Sequence, residues 1–196
     1  MASFTKKAIV ASFLKMCAKK LPDKITVRDI VDDCEINRNT FYYYFQDIYA
    51  LIDEVFGIWS AEFVSSCEEG GDMVEGLCSF TEWALEHRRA VIHLTIAFDG
   101  STVEDYYLRA AGDAWSQWVR GQAREQGASE EAVRYIGATL ALAFFSIVRR
   151  WIKSGMKEEP RRVVEHFAVT WLGSVSYMLD NYDSTFTKNR QFRKND

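Results

Sequence analysis

The chain has 196 residues, 48% of them hydrophobic and 14% aromatic, with two prolines, eleven glycines and a net charge of −4. This is enough apolar material for one domain or two small ones, and it leaves little room for disorder or frequent turns. The acidic total does not exclude nucleic acid, because residues 1–46 carry eight Lys and Arg against five Asp and Glu, a net +3, and phosphate binding follows the local face, not the whole-chain charge.

The first predicted helix covers about residues 4–20, with Ile9, Phe13, Met16 and Cys17 as its inner stripe and five lysines without an acid in residues 1–20. The next stretch, residues 26–45, reads as a short helix, a tight turn and a second short helix. Thr26 followed by Asp29 has the spacing of a capping box, and Asn37 suits the N-cap of the second helix. Val27, Ile30, Val31, Ile36, Phe41 and Phe45 form a small apolar seam. Arg38, Asn39 and Thr40 begin the second helix, where a helix-turn-helix presents side chains to base edges in the major groove. Tyr42 and Tyr44, taken to face away from Phe41 and Phe45, are candidate phosphate donors, as are Thr26 and Arg28 at the start of the preceding helix. A DNA-reading module is therefore expected from these residues alone.

Further helices are predicted over about residues 47–67, 73–87, 90–98 and 102–126. Ser129 followed by Glu130 and Glu131 marks a strong start for an eighth, reaching Lys153, and Pro160 opens a ninth that runs to about residue 182. Residues 184–196 are expected to be a mobile tail. The eighth helix carries two apolar rows, one of them including Gly137, Ala141, Phe145 and Val148, and the ninth presents Phe167, Trp171 and Val175. Two apolar faces mean contacts on two sides. Either both helices are central to one core, or they pair with their copies in a second subunit.

Cys17, Cys34, Cys67 and Cys78 form no CxxC pair, and no His stands at zinc-ligand spacing, so free thiols in a reducing cytosol, and no metal or other cofactor, are expected. No signal peptide is read, and the uncharged run 135–148 is too short to span a bilayer and reads as a buried helix; a cytoplasmic protein without a membrane partner is expected. The chain has no Gly-rich phosphate loop, GxSxG or HExxH motif, so it does not read as an enzyme.

The run Thr40-Phe41-Tyr42-Tyr43-Tyr44-Phe45, together with Thr26, Val27, Ile30, Ile36, Asn37 and Leu51, resembles the N-terminal domain of TetR/AcrR-type transcriptional regulators, over about residues 4–56. Asn37 to Tyr42 followed by Gln46-Asp47-Ile48-Tyr49 is similar to the subgroup containing the dihydroxyacetone-kinase regulator DhaS. Two positions depart from the pattern: Glu35 stands where the family often has Gly in the turn, and Ile48 where it often has a phosphate-binding Lys.

The resemblance implies an all-α protein: a three-helix helix-turn-helix head (residues 1–46) on a helical effector-binding and dimerisation domain (47–183). It implies a homodimer on double-stranded DNA at a palindromic operator, joined by the second-subunit pairing just described. It further implies a repressor released by a small-molecule effector, or in the DhaS-like case a co-activator working through a protein co-regulator. An effector pocket is then expected among Phe80, Trp83, His93, Phe98, Trp115, Trp118 and Phe144.

Overall fold

The computed structural model describes residues 2–68, 71–97, 100–123 and 127–192. Among them the chain forms ten α-helices: α1 (Ala2–Cys17), α2 (Val27–Asp33), α3 (Arg38–Tyr44), α4 (Ile48–Ser66), α5 (Met73–Glu86), α6 (Arg88–Ala97), α7 (Gly100–Ala123), α8 (Glu130–Lys153), α9 (Pro160–Thr170) and α10 (Val175–Phe192). The all-α expectation holds, with an N-terminal helix-turn-helix and a helical C-terminal domain.

The head closes around Ile9, Phe13, Ile30 and Phe41, all fully buried. Its helix ends are stopped by side chains. The capping box is complete: Asp29 N–H donates to Thr26 Oγ1 at 3.2 Å and Thr26 N–H donates to Asp29 Oδ2 at 2.9 Å. Asn37 Oδ1 accepts from Thr40 N–H at 2.8 Å, and Asp47 Oδ1 accepts from Ala50 N–H at 2.8 Å, which starts α4. In the turn between α2 and α3, Glu35 has φ 53, the left-handed conformation that glycine adopts without strain.

α4 leaves the head and becomes a central helix of the larger domain, packed on α5 and α7. α7 lies along α8, α5 against α9, and α10 against both α7 and α8. The α7–α8 approach is close because Gly137 has no side chain: a Cβ there would sit 2.7 Å from Ser116 Oγ and 2.8 Å from Ser116 Cα. By length and composition alone α8 could cross a membrane, but half of its most apolar window is buried inside the bundle, as expected of a core helix. The head is tied to this domain by α1 packing on α6, where His93 Nδ1 lies 2.6 Å from the Cys17 carbonyl oxygen.

Two expectations about the C-terminus are corrected. The predicted ninth helix is two helices, broken by a 3-10 turn at Leu172–Ser174. β-branched Val169 and Thr170 followed by Gly173 make a weak helical stretch, and Ser174 Oγ turns back to donate to the Trp171 carbonyl at 2.8 Å. Gly173 is exposed and admits no close neighbour. The expected mobile tail is helical as far as Phe192. Asp183 anchors this region, accepting from Ser129 N–H at 2.7 Å and from Ser129 Oγ at 2.5 Å, so α10 is fastened to the first turn of α8.

Candidate nucleic-acid interface and internal cavity

α3 presents Arg38, Asn39, Tyr42 and Tyr43 to solvent while Phe41 is fully buried. Sequence reading chose Tyr42 and Tyr44 as the outward pair. The structure corrects it: Tyr43 is the more exposed neighbour at 78%, and Tyr44 is half-buried, edge-on to the Tyr43 ring with centroids 4.9 Å apart. The signal was in the period. At about 100° per residue, the position two after Phe41 and two before Phe45 points directly away from the seam.

Asn37 and Thr40 serve the cap, Thr40 Oγ1 lying 3.1 Å from Asn37 Oδ1, so their first task is to hold the start of α3. Thr26 is exposed, and its hydroxyl accepts from Asp29 N–H and is directed at the Asp29 carboxylate, so it too is engaged in a cap.

Most basic side chains of the head are already paired with carboxylates. Lys15 Nζ is 2.6 Å from Asp33, Lys20 Nζ 2.9 Å from Asp29, and Arg28 Nε 3.6 Å from Asp32. Exposed pairs of this kind are worth about 0–1 kcal/mol, so exchanging a carboxylate for a phosphate is cheap. Arg38 forms no ion pair among the described residues and needs no exchange.

The Asp29 carboxyl is held well below its ordinary value of 3.8, at about 2, by the Thr26 backbone N–H and then by Lys20 and the Thr26 side chain. Its folded value lies below its unfolded one, so its contribution to stability is present above about pH 4 and fades as the pH falls toward about 2. Asp29→Ala is expected to lower the thermal midpoint at neutral pH. The gap from wild type should close on acidification through that window; a gap independent of pH would remove the capping box as its cause. Burial pushes the Cys17 and Cys67 thiols up to about 12 and Cys78 to about 11, so these three are neutral and poorly nucleophilic at neutral pH.

The expected effector pocket is largely corrected. Trp115 and Phe144 are core residues, 0% and 1% exposed, packed with Phe63 and Phe167. His93 is taken up by the Cys17 carbonyl. Trp83 borders an open groove of about 970 Å³ between α1 and α6, together with Leu14, Ile58 and Arg89. Trp118 is half-buried and lines neither space, and Phe98 lies outside the described residues.

Of the residues expected to line the pocket, Phe80 alone borders the small internal cavity, whose volume is about 20 Å³. Its other walls are Phe56 and Trp59 from α4, Thr95 from α6, Val103 and Tyr107 from α7, and Phe145, Val148, Arg149 and Ile152 from α8. Arg149 stands near the C-terminal end of α8. Its place in the wall depends on the helix-to-helix arrangement, which periodicity does not carry.

The residues expected at a subunit interface are also relocated. Gly137, Ala141, Phe145, Val148, Phe167 and Val175 are buried by their own chain, and Trp171 is half-buried. Phe145 and Val148 line the internal cavity, and Gly137 meets α7. The exposed apolar residues on these helices are instead Tyr135, Leu142, Val169 and Tyr177.

Residues 14–55 match the model of bacterial regulatory proteins of the tetR family, and residues 72–171, half of the chain, match the model of the transcriptional regulator C-terminal region of TetR type. The chain belongs to the TetR family. As a TetR-family protein it is a DNA-binding transcriptional regulator, and no enzyme family is indicated.

Solved structures share this fold. The dihydroxyacetone kinase operon activator DhaS is 20% identical, covering 88% of this chain and 97% of that one with a TM-score of 0.68. The fatty acid degradation regulator FadR from Bacillus halodurans is 16% identical, covering 86% and 95% with a TM-score of 0.62. NalD, the secondary repressor of the MexAB-OprM multidrug efflux pump in Pseudomonas aeruginosa, is 16% identical, covering 88% and 96% with a TM-score of 0.55. No curated protein matches the regulator.

Proposed function

We propose that this TetR-family regulator acts as a homodimer, holds a palindromic operator through two α3 helices, represses transcription, and is released by a small-molecule effector in its larger domain. The observation that carries the reading is the pair of exposed surfaces on one chain. One is the polar and aromatic face of α3. The other is an uncharged stripe on α8, from Tyr135 through Ala138, Thr139 and Leu142 to Ser146, together with exposed Val169 on α9, Gly173 in the 3-10 turn and Tyr177 on α10. The first meets DNA; the second is the kind of surface a second copy covers. Two copies must hold their α3 helices about 34 Å apart to enter successive major grooves. A ligand changes operator affinity to the extent that it favours one head separation over the other.

Arg38 and Asn39 read bases, and Thr26, Arg28, Tyr42 and Tyr43 hold phosphates. Sequences selected from random DNA by the full-length protein should share a two-fold symmetric site. Arg38→Ala should weaken binding to that site by about 1–3 kcal/mol and binding to random DNA much less. Tyr42→Phe should weaken both alike. An enriched site without symmetry, or an equal loss on both DNAs for Arg38→Ala, would reject this arrangement.

The small size of the cavity, about 20 Å³, favours a second reading: activation together with a ligand-loaded protein partner, in line with the activator named in the DhaS structure. A regulator whose operator affinity answers to a partner protein and to no small molecule would establish it.

A further inference from the structure

We infer that the effector is an organic acid with an apolar body, its carboxylate bound by Arg149; this rests on the effector reading above. Arg149 belongs to the wall of the internal cavity. The residue is half-buried, yet its Nε is shielded from solvent and has no hydrogen-bond partner. A guanidinium is charged at any physiological pH. A shielded charged donor without an acceptor costs free energy, and such groups in folded proteins usually have one.

The other polar groups of the wall are already engaged. Trp59 Nε1 donates to the Phe80 carbonyl at 2.6 Å, Thr95 Oγ1 donates to the Val91 carbonyl at 2.8 Å, and Tyr107 Oη accepts from Trp115 Nε1 at 2.7 Å. The unmet demand in this cavity is therefore for an acceptor, and a negative one suits it best. Around Arg149 the walls are ring faces and aliphatic groups: Trp59 and Phe80 are stacked with centroids 4.6 Å apart, and Phe145 stacks on Tyr107 at 5.4 Å. Such walls bind hydrocarbon and gain nothing from a second polar group.

The cavity is small, so an acid entering it must push back its walls. Phe56 and Trp59 are the α4 residues it would displace, and α4 is the helix that continues from the head. Recognition of the anion and movement of the head are thus coupled through one wall.

The test uses matched pairs: medium-chain n-alkanoates against n-alkanols of the same length, and 1-naphthoate against 1-naphthol. Binding to the full-length protein is followed by calorimetry and by tryptophan fluorescence, to which Trp59 reports. At least one acid is expected to bind about tenfold or more tightly than its neutral partner, the scale of a charge-assisted hydrogen bond. Arg149→Met should abolish that preference while sparing the binding of the neutral partner, and Arg149→Lys should keep part of it. Ligand-free Arg149→Met should melt at or above the wild-type temperature, because an unpaired shielded donor is removed.

No acid preferred over its partner in any pair would overturn the inference and leave Arg149 Nε to a bound water. A preference that survives in Arg149→Met, or an Arg149→Met protein that is unfolded or melts well below wild type, would overturn it too. Neutral compounds that alter operator affinity without any preference for acids would refute the anion assignment and retain the effector reading. Ligands that bind yet leave operator affinity unchanged would refute the effector reading itself.

Discussion

Trp115→Ala should destabilise the protein by about 3–5 kcal/mol, the cost of removing a large aromatic side chain from a packed core. Trp115 is 0% exposed and touches Phe63, Phe144 and Phe167, so one residue joins α4, α7, α8 and α9. Its indole N–H also serves Tyr107, whose ring is 2% exposed and whose phenol burial holds far above its ordinary titration range. Truncation therefore leaves a void and a buried hydroxyl without its donor. Against a total stability of about 5–15 kcal/mol, much of the folded margin would be lost. Chemical denaturation followed by far-UV circular dichroism measures it; a loss under about 1 kcal/mol would mean the four helices close over the gap and do not depend on this residue.

A charge placed on the exposed α8–α10 stripe should give a folded monomer. Leu142 and Tyr177 are 40% and 71% exposed in the single chain, so Leu142→Asp and Tyr177→Asp leave the protomer core intact. In a two-fold dimer each substitution appears twice, and an unpaired carboxylate in an apolar seam is costly. The expected loss is more than about 2 kcal/mol of association free energy, over about thirtyfold in the dimer dissociation constant. Sedimentation velocity at micromolar concentration should show monomers with wild-type helical content and weakened operator binding. If both variants remain dimers, the subunits meet elsewhere. Phe145→Glu serves as the contrast: that residue is 8% exposed and borders the internal cavity, so it should unfold the chain instead of separating subunits.

What the sequence determined by itself was local. The capping box at Thr26 and Asp29, the caps at Asn37 and Ser129, Pro160 at a helix start and the apolar period of each segment depend on residues within a turn or two of one another. These interactions are written in neighbouring positions, so the helices and the recognition module were legible, and the resemblance to TetR regulators followed from them. The tertiary structure decided everything that depends on which helix faces which. An apolar residue on α8 looks the same in sequence whether it meets α7, a cavity or another subunit. Gly137, Phe145 and Phe167 were expected between subunits and are buried within one, because α7 covers Gly137 and Phe145, and Phe167 packs on Trp115 of α7 and Phe144 of α8. Arg149 acquires meaning only when α4, α6 and α7 close around it and engage every other polar group of the cavity wall. Local hydrogen bonding and period are encoded within a few residues; burial and the pairing of a charge are properties of the assembled helices.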